Sequence, residues 1–188
     1  MSMEIVFHGR GGQGAVTAVE ILVKALSLEE KFGQSQASYG IERRGAPVLA
    51  FLRADDKPIT IRSRIRNPNC IVVLDEQLPN IINVASGLRD GGIAVLNTYK
   101  DPEDIVLGVK LSKMGVVDAT KISSDIYGQR PIPITNVIMM GALIATTELV
   151  SMQSTVKAIR HRFKGTLGEK NEAAVDHGYN LTKVISYE

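Results

Sequence analysis

The sequence predicts an α/β fold: a three-layer αβα single domain over residues 1–188, with a mixed, mostly parallel sheet and an inserted antiparallel hairpin. Three observations predict it. Short apolar runs rich in β-branched residues alternate with segments of helical periodicity, glycines punctuate the strand ends, and two β-rich runs stand next to each other across a short polar turn. A chain of 188 residues is the size of one domain, and no repeat, low-complexity tract or linker divides it.

Residues 4–8 are a short apolar run that ends in glycines and read as a strand. Residues 15–28 then place Val16, Val19, Ile21, Leu22, Val23 and Leu26 at helical spacing. Residues 46–52 and 58–65 are β-branched runs separated by Arg53-Ala-Asp-Asp-Lys57, whose chemistry suits a turn, so they read as a hairpin. Residues 70–75 read as a buried strand, 78–88 as a helix and 93–97, after Gly91-Gly92, as the next strand. That makes a further βαβ unit. A strand is expected over 115–119, and helices near 136–150, 154–163 and 169–185. A hairpin between parallel units makes the sheet mixed.

Composition narrows the function classes. With 44% hydrophobic and 22% charged residues, the chain is not disordered, collagenous or a coiled coil. Lysine and arginine number 22 against 20 aspartates and glutamates, so no bulk attraction to nucleic acid is expected and anion recognition must come from local clustering. The one cysteine, Cys70, cannot form an intrachain disulfide, an iron–sulfur cluster or a cysteine-based zinc site, and a reducing, cytoplasmic setting is expected. The longest apolar stretch, 137–145, falls short of the ~20 residues of a membrane span, and residues 1–10 lack a signal-peptide apolar run, so a soluble protein is expected.

The most informative local feature is His8-Gly9-Arg10-Gly11-Gly12-Gln13-Gly14, between the first strand and the first helix. It satisfies G-x-G-x-x-G. Glycines permit positive φ and close backbone approach, the helix start offers free N–H groups, and Arg10 adds a bidentate donor, so the loop can cradle phosphate or carboxylate. A dinucleotide site also needs an acid about 20 residues on, at the end of the second strand. Glu29 and Glu30 have the offset but lie on the helix tail, and 34–39 contains no acid. A tight βα turn in which the glycines serve packing alone is the other reading.

Residues 38–46 gather Tyr39, Glu42, Arg43 and Arg44 between glycines, which suits a site or interface, or a solvated loop paired within itself. Arg62, Arg64 and Arg66 alternate along the predicted strand. They form a basic strip for a phosphorylated ligand or acidic partner, or an aggregation-blocking edge. Asn136 reads as the N-cap of a helix held off by the prolines of 130–135. His8, His161 and His177 show neither metal spacing nor a nucleophile beside them. Lys157 to Lys164 reads as a solvated basic helix face, and Lys170-Asn171 and Asp176-His-Gly178 decorate the final helix.

Taken in order, Gly9-Arg-Gly-Gly-Gln-Gly14, Ser38-Tyr-Gly-Ile-Glu-Arg-Arg-Gly45, the 53–59 segment with Pro58-Ile59, Asn136 to Ala142 with its Met-Gly-Ala end, and Lys170-Asn171 resemble the γ subunit of the 2-oxoacid:ferredoxin oxidoreductases, the pyruvate synthase family. The match covers nearly the whole chain. Gly45-Ala46 stands where similar proteins often show paired glycines. The resemblance implies coenzyme A-dependent oxidative decarboxylation of a 2-oxoacid, most simply pyruvate, to acyl-coenzyme A with reduction of ferredoxin in anaerobic metabolism. It also implies partner subunits of α, β and δ type, which would carry thiamine diphosphate, magnesium and the iron–sulfur clusters; this chain has no Gly-Asp-Gly segment of the kind that opens a thiamine motif. On that resemblance Gly9, Arg10, Gly11, Gly12, Gln13 and Gly14, with Tyr39, Glu42, Arg43 and Arg44, would line the coenzyme A side of a shared active site, with no catalytic residue or metal ligand on this chain alone. The alternatives are a free-standing dinucleotide-binding (NAD or FAD) oxidoreductase and a purely structural assembly subunit.

Overall fold

The computed structural model describes residues 2–38 and 46–187. The first apolar run becomes β1 (Met3–Arg10), and the periodic stretch after the glycines becomes α1 (Ala15–Ser27), which buries Ala18, Val19, Ile21, Leu22, Ala25 and Leu26 along one face. The chain returns through β2 (Phe32–Ser38) and β3 (Pro47–Asp55), runs into β4 (Cys70–Val73) and β5 (Gly92–Asn97), and then β6 (Leu111–Val117). Four further helices follow: α2 (Ala119–Tyr127), α3 (Asn136–Thr147), α4 (Met152–Arg162) and α5 (Gly165–Leu181). The last strand is β7 (Lys183–Ser186).

Among the described residues these strands form one sheet in the order β2-β3-β1-β4-β5-β6-β7. Its centre, β1-β4-β5-β6, is parallel, while β2, β3 and β7 run antiparallel at the flanks. The α/β reading with a mixed sheet and an inserted hairpin is borne out. Alternation along each strand splits the core. Ile5, Phe7, Leu52, Cys70, Val72 and Val95 face the helices. Ile71, Val73, Ala94, Leu96, Met114 and Val116 face the other way, under Leu78, Val84, Ala85 and Leu88. The second covering layer is therefore turns and extended chain.

Several elements differ from the expectation. The hairpin is β2 with β3, paired from Phe32 opposite Asp55 to Ser38 opposite Leu49, and residues 58–65 form no strand. Pro58 lacks a ladder donor, Ile61 is exposed, and the segment is anchored by burial of Ile65 against Val6 and Phe51. The polar sequence of β2 hid an edge strand. Arg53, expected in the turn, lies within β3, buried, with Nε 2.8 Å from Glu4 Oε1. The predicted helix 78–88 shrinks to a 3-10 turn at Leu78–Asn80, because the Asn83 side chain accepts from Ala85 N and Gly87 adopts φ +81° to close separate turns. β6 begins four residues early, and α2, capped by Asp118 accepting from Lys121 N at 2.8 Å, was not anticipated. The final helix stops at Leu181, and β-branched Val184 and Ile185 pair with β6 instead.

Cys70 is fully buried, and burial pushes its thiol up, so it is a packing residue rather than a reactive one. No helix among the described residues is long and apolar enough to cross a membrane.

Candidate functional site

At the carboxyl end of β1 the chain leaves into α1 on the helical face, whereas from β4 it leaves through the 3-10 turn on the opposite face. Parallel strands whose connections diverge in this way open a crevice at their carboxyl ends, the usual ligand position in such sheets. The glycine loop stands at this crevice. Gly11 N donates to Ala46 O at 2.9 Å, and Gln13 N donates to Arg10 O at 3.0 Å, closing a tight turn with Gly12 at φ +99° and Gly14 at φ +78°. Positive φ at both positions is why glycine stands there.

Gln13, 2% exposed, organises the loop. Its Oε1 accepts from Arg10 N, and its Nε2 donates to Asp75 Oδ2, both at 2.8 Å. Arg10 Nε lies 3.2 Å from the same Oδ2, but its N–H is not directed to make a hydrogen bond, so that contact is an ion pair by distance. Asp75 Oδ1 accepts from Gln77 N at 3.0 Å, which fixes the carboxylate. Arg10 is thus a half-buried guanidinium steered by an anchored carboxylate.

Beside it, α1 begins at Gly14 with no side-chain cap and no acid in the first turn. The amides of Ala15, Val16 and Thr17 have no acceptor within their helix, and this end carries the positive pole of the helix dipole. A carboxylate or phosphate is the complementary group. Asn136, read from sequence as an N-cap, is instead the first residue of α3, with Thr135 at the cap. Its Nδ2 donates to Gly14 O at 3.3 Å, and a Cβ on Gly14 would stand 2.5 Å from that nitrogen. Gly9 has only ordinary contacts around its Cα. Thr135 Oγ1 and Asn97 Nδ2 both donate to Leu74 O, at 3.0 and 2.9 Å, tying β4 and β5 to the start of α3.

The structure therefore brings together Arg10, Gly11, Gly12, Gln13 and Gly14, and adds Asp75, Asn97, Thr135 and Asn136. Asp75 was open to sequence reasoning as the acid that ends the second parallel strand, beside the crevice. Tyr39, Glu42, Arg43 and Arg44 lie outside the described residues. The strands that flank them end here too: Ser38 pairs with Leu49, and Pro47 stands opposite Arg10. Glu29, one acid at dinucleotide offset, is at the other end of α1, accepting from Ser151 N at 2.8 Å and pairing with Lys31. It cannot reach a ligand on the glycine loop.

His8 lies on the second face of β1, 8% exposed, with Nδ1 buried and unpartnered. Burial holds its pKa at about 4, below the ordinary 6.5. The folded chain keeps it neutral where the unfolded chain is protonated, so its contribution is full above pH 6.5 and is lost as pH falls from 6.5 to about 4. The loss is on the order of 3 kcal/mol. In urea unfolding the wild type should lose stability relative to His8→Leu as pH falls through that window; parallel curves would refute the assignment. His177 Nδ1 sits 2.7 Å from Ala173 O one turn back, and no group of histidines, cysteines and carboxylates among the described residues is arranged to hold a metal.

The sequence matches the family model of pyruvate ferredoxin/flavodoxin oxidoreductase over residues 4–181. The chain belongs to this family. Within it the chain is of the gamma-subunit type, part of an oxidoreductase. It is 48% identical over 184 residues to the pyruvate/ketoisovalerate oxidoreductases common subunit gamma of Thermococcus kodakarensis, covering 97% of this chain and 98% of that one. The crystal structure of pyruvate oxidoreductase subunit PORC from Thermotoga maritima superposes with a TM-score of 0.82 at 34% identity, over 97% of this chain and 98% of that one. A 2-oxoglutarate:ferredoxin oxidoreductase from Magnetococcus marinus, solved with 2-oxoglutarate, coenzyme A and succinyl-CoA bound, shares the fold at a TM-score of 0.71 and 15% identity, over 96% of this chain and 31% of that one. The same fold thus stands both as a chain of its own and within a longer chain.

Proposed function

We propose that the chain, acting as one gamma-type domain, presents its glycine loop to coenzyme A in a cytoplasmic, multisubunit 2-oxoacid:ferredoxin oxidoreductase, with pyruvate as the oxoacid. The observation that carries the reading is the Arg10–Asp75 arrangement beside the uncapped start of α1. Donors of that kind fit a phosphate or carboxylate and carry no nucleophile. Gly9, Gly11, Gly12 and Gly14 let the backbone approach the anion, Gln13 holds the loop, and Tyr39, Glu42, Arg43 and Arg44 are assigned to the same ligand on the strength of the family resemblance.

Thiamine diphosphate, magnesium and iron–sulfur clusters supply the carbon–carbon cleavage and electron transfer in such an enzyme. The donor set here does not fit the clusters, which need several thiolates where the one cysteine is buried in the sheet. All of these groups are assigned to α, β and δ-type partners, and ferredoxin takes the electrons. The names of the relatives, a common gamma subunit and a pyruvate oxidoreductase subunit, support a partnered role.

The test is to tag the chain in its native host, purify it without oxygen, and record partner masses, thiamine diphosphate content and acceptor-linked oxidation of 2-oxoacids. Partner subunits with coenzyme A-dependent pyruvate oxidation are expected. A chain that emerges alone and binds NAD saturably would overturn the reading in favour of a free-standing dinucleotide enzyme.

A further inference from the structure

Residues 61–68, the basic strip, cross the second face of the sheet opposite α1, and a cavity of about 400 Å³ opens between them, β1 and β3. His8, Leu49, Phe51, Arg64, Arg66 and Ser86 line it. Three features set it apart from an ordinary solvated groove. His8 is more than nine-tenths buried and makes no hydrogen bond through either ring nitrogen to a described residue, with Nδ1 sealed in the protein. The Arg64 guanidinium lies over the Phe51 ring, 5.0 Å from its centroid, which orders a side chain that otherwise sweeps through solvent. Among the described residues, no carboxylate pairs with Arg64 or Arg66.

We propose that this cavity is a second anion site, which takes a small phosphate monoester with an apolar body between Arg64, Arg66 and the His8 ring. The volume is that of a small-molecule pocket rather than the seat of a single carboxylate. Two guanidiniums without internal counter-charge match a dianion, and guanidinium forks bind phosphate oxygens in pairs. The Ser86 hydroxyl can donate at the rim, and the Leu49 and Phe51 walls receive the apolar part. A neutral imidazole inside this charge pattern can donate a proton-bearing nitrogen to the anion without carrying a buried charge of its own. An anion seated there would in turn raise the His8 pKa from the low value that burial imposes. The proposal does not rest on the coenzyme A reading, because it uses the other face of β1 and different residues.

The experiment follows the His8 ring resonance of the full chain by NMR, assigned by its loss in His8→Gln, during titration with inorganic phosphate and, separately, phenyl phosphate. Saturable shifts are expected with both, at lower concentration for phenyl phosphate, together with an upward move of the His8 titration midpoint. In the Arg64→Ala, Arg66→Ala double variant, whose substituted side chains are exposed, binding should weaken about tenfold or more, as loss of charge-assisted hydrogen bonds requires. An His8 resonance that stays put in both titrations, or moves equally in the double variant, overturns the site. So does a shift that appears only on mixing with partner subunits, since the cavity would then hold a protein side chain.

Discussion

Gly178→Ala should lower the thermal midpoint by roughly 6–12 °C, equivalent to about 3 kcal/mol for a domain of this size. Gly178 is in α5 and Gly141 in α3, and they mark where the two helices touch backbone to backbone. A Cβ on Gly178 would stand 2.0 Å from Ile138 O, and one on Gly141 2.2 Å from Val175 O. Ordinary contact begins at 3.4 Å, so the first falls short by 3.4 minus 2.0, or 1.4 Å, against main-chain atoms that cannot rotate aside. Alanine favours a helix over glycine by about 1 kcal/mol, which is the opposing effect. Overlap wins because α3 is buried almost all round, from Asn136 to Ile144, and spreading the helices opens the core against β4, β5 and β6. A thermal melt checks it. A midpoint that rises would mean that the helices separate at little cost and propensity dominates.

The second large effect belongs to the Arg10–Asp75 pair. In the assembled enzyme, Arg10→Ala should weaken apparent coenzyme A affinity about tenfold or more by removing a charge-assisted contact. Asp75→Asn should weaken it by a comparable factor although Asp75 faces the protein, because the carboxylate that steers the guanidinium and receives Gln13 Nε2 is gone. Residues acting as one unit are non-additive, so the double variant should be little worse than Arg10→Ala alone. Fluorescence or calorimetric titration of coenzyme A into the purified complexes checks this.

How much of this could be read in the sequence depends on the kind of signal. β1, α1 and β4 were legible because their apolar spacing is strong and glycines or an acid mark their ends. The glycine loop was legible as a tight strand-to-helix turn for the same reason. β2 was not, since Gln34, Ser35 and Gln36 carry no alternation and an edge strand needs little. The 58–65 run misled because β-branched composition fits any extended chain, whether or not a partner strand is there. Residues 78–88 misled because apolar residues at helical spacing can also be consecutive turns packing on one sheet face. Asn136 escaped as a site residue for a different reason: it meets the loop across 122 residues of chain, a distance that no local pattern encodes, whereas Asp75, which meets it across 62, was marked by its place at a strand end. Gly178 read as decoration of the final helix, and only the crossing with α3 gives it a purpose.

The measurement that tests the central claim most directly is the coenzyme A isotherm of the anaerobically assembled complex carrying wild type, Arg10→Ala, Asp75→Asn or both, with complex mass recorded on the same samples. The predicted result is intact assembly in all four, affinity lowered about tenfold or more in each variant, and a double variant close to the single ones. Isotherms that superimpose while the complexes remain intact would contradict the coenzyme A role of the loop and leave it a structural element of assembly.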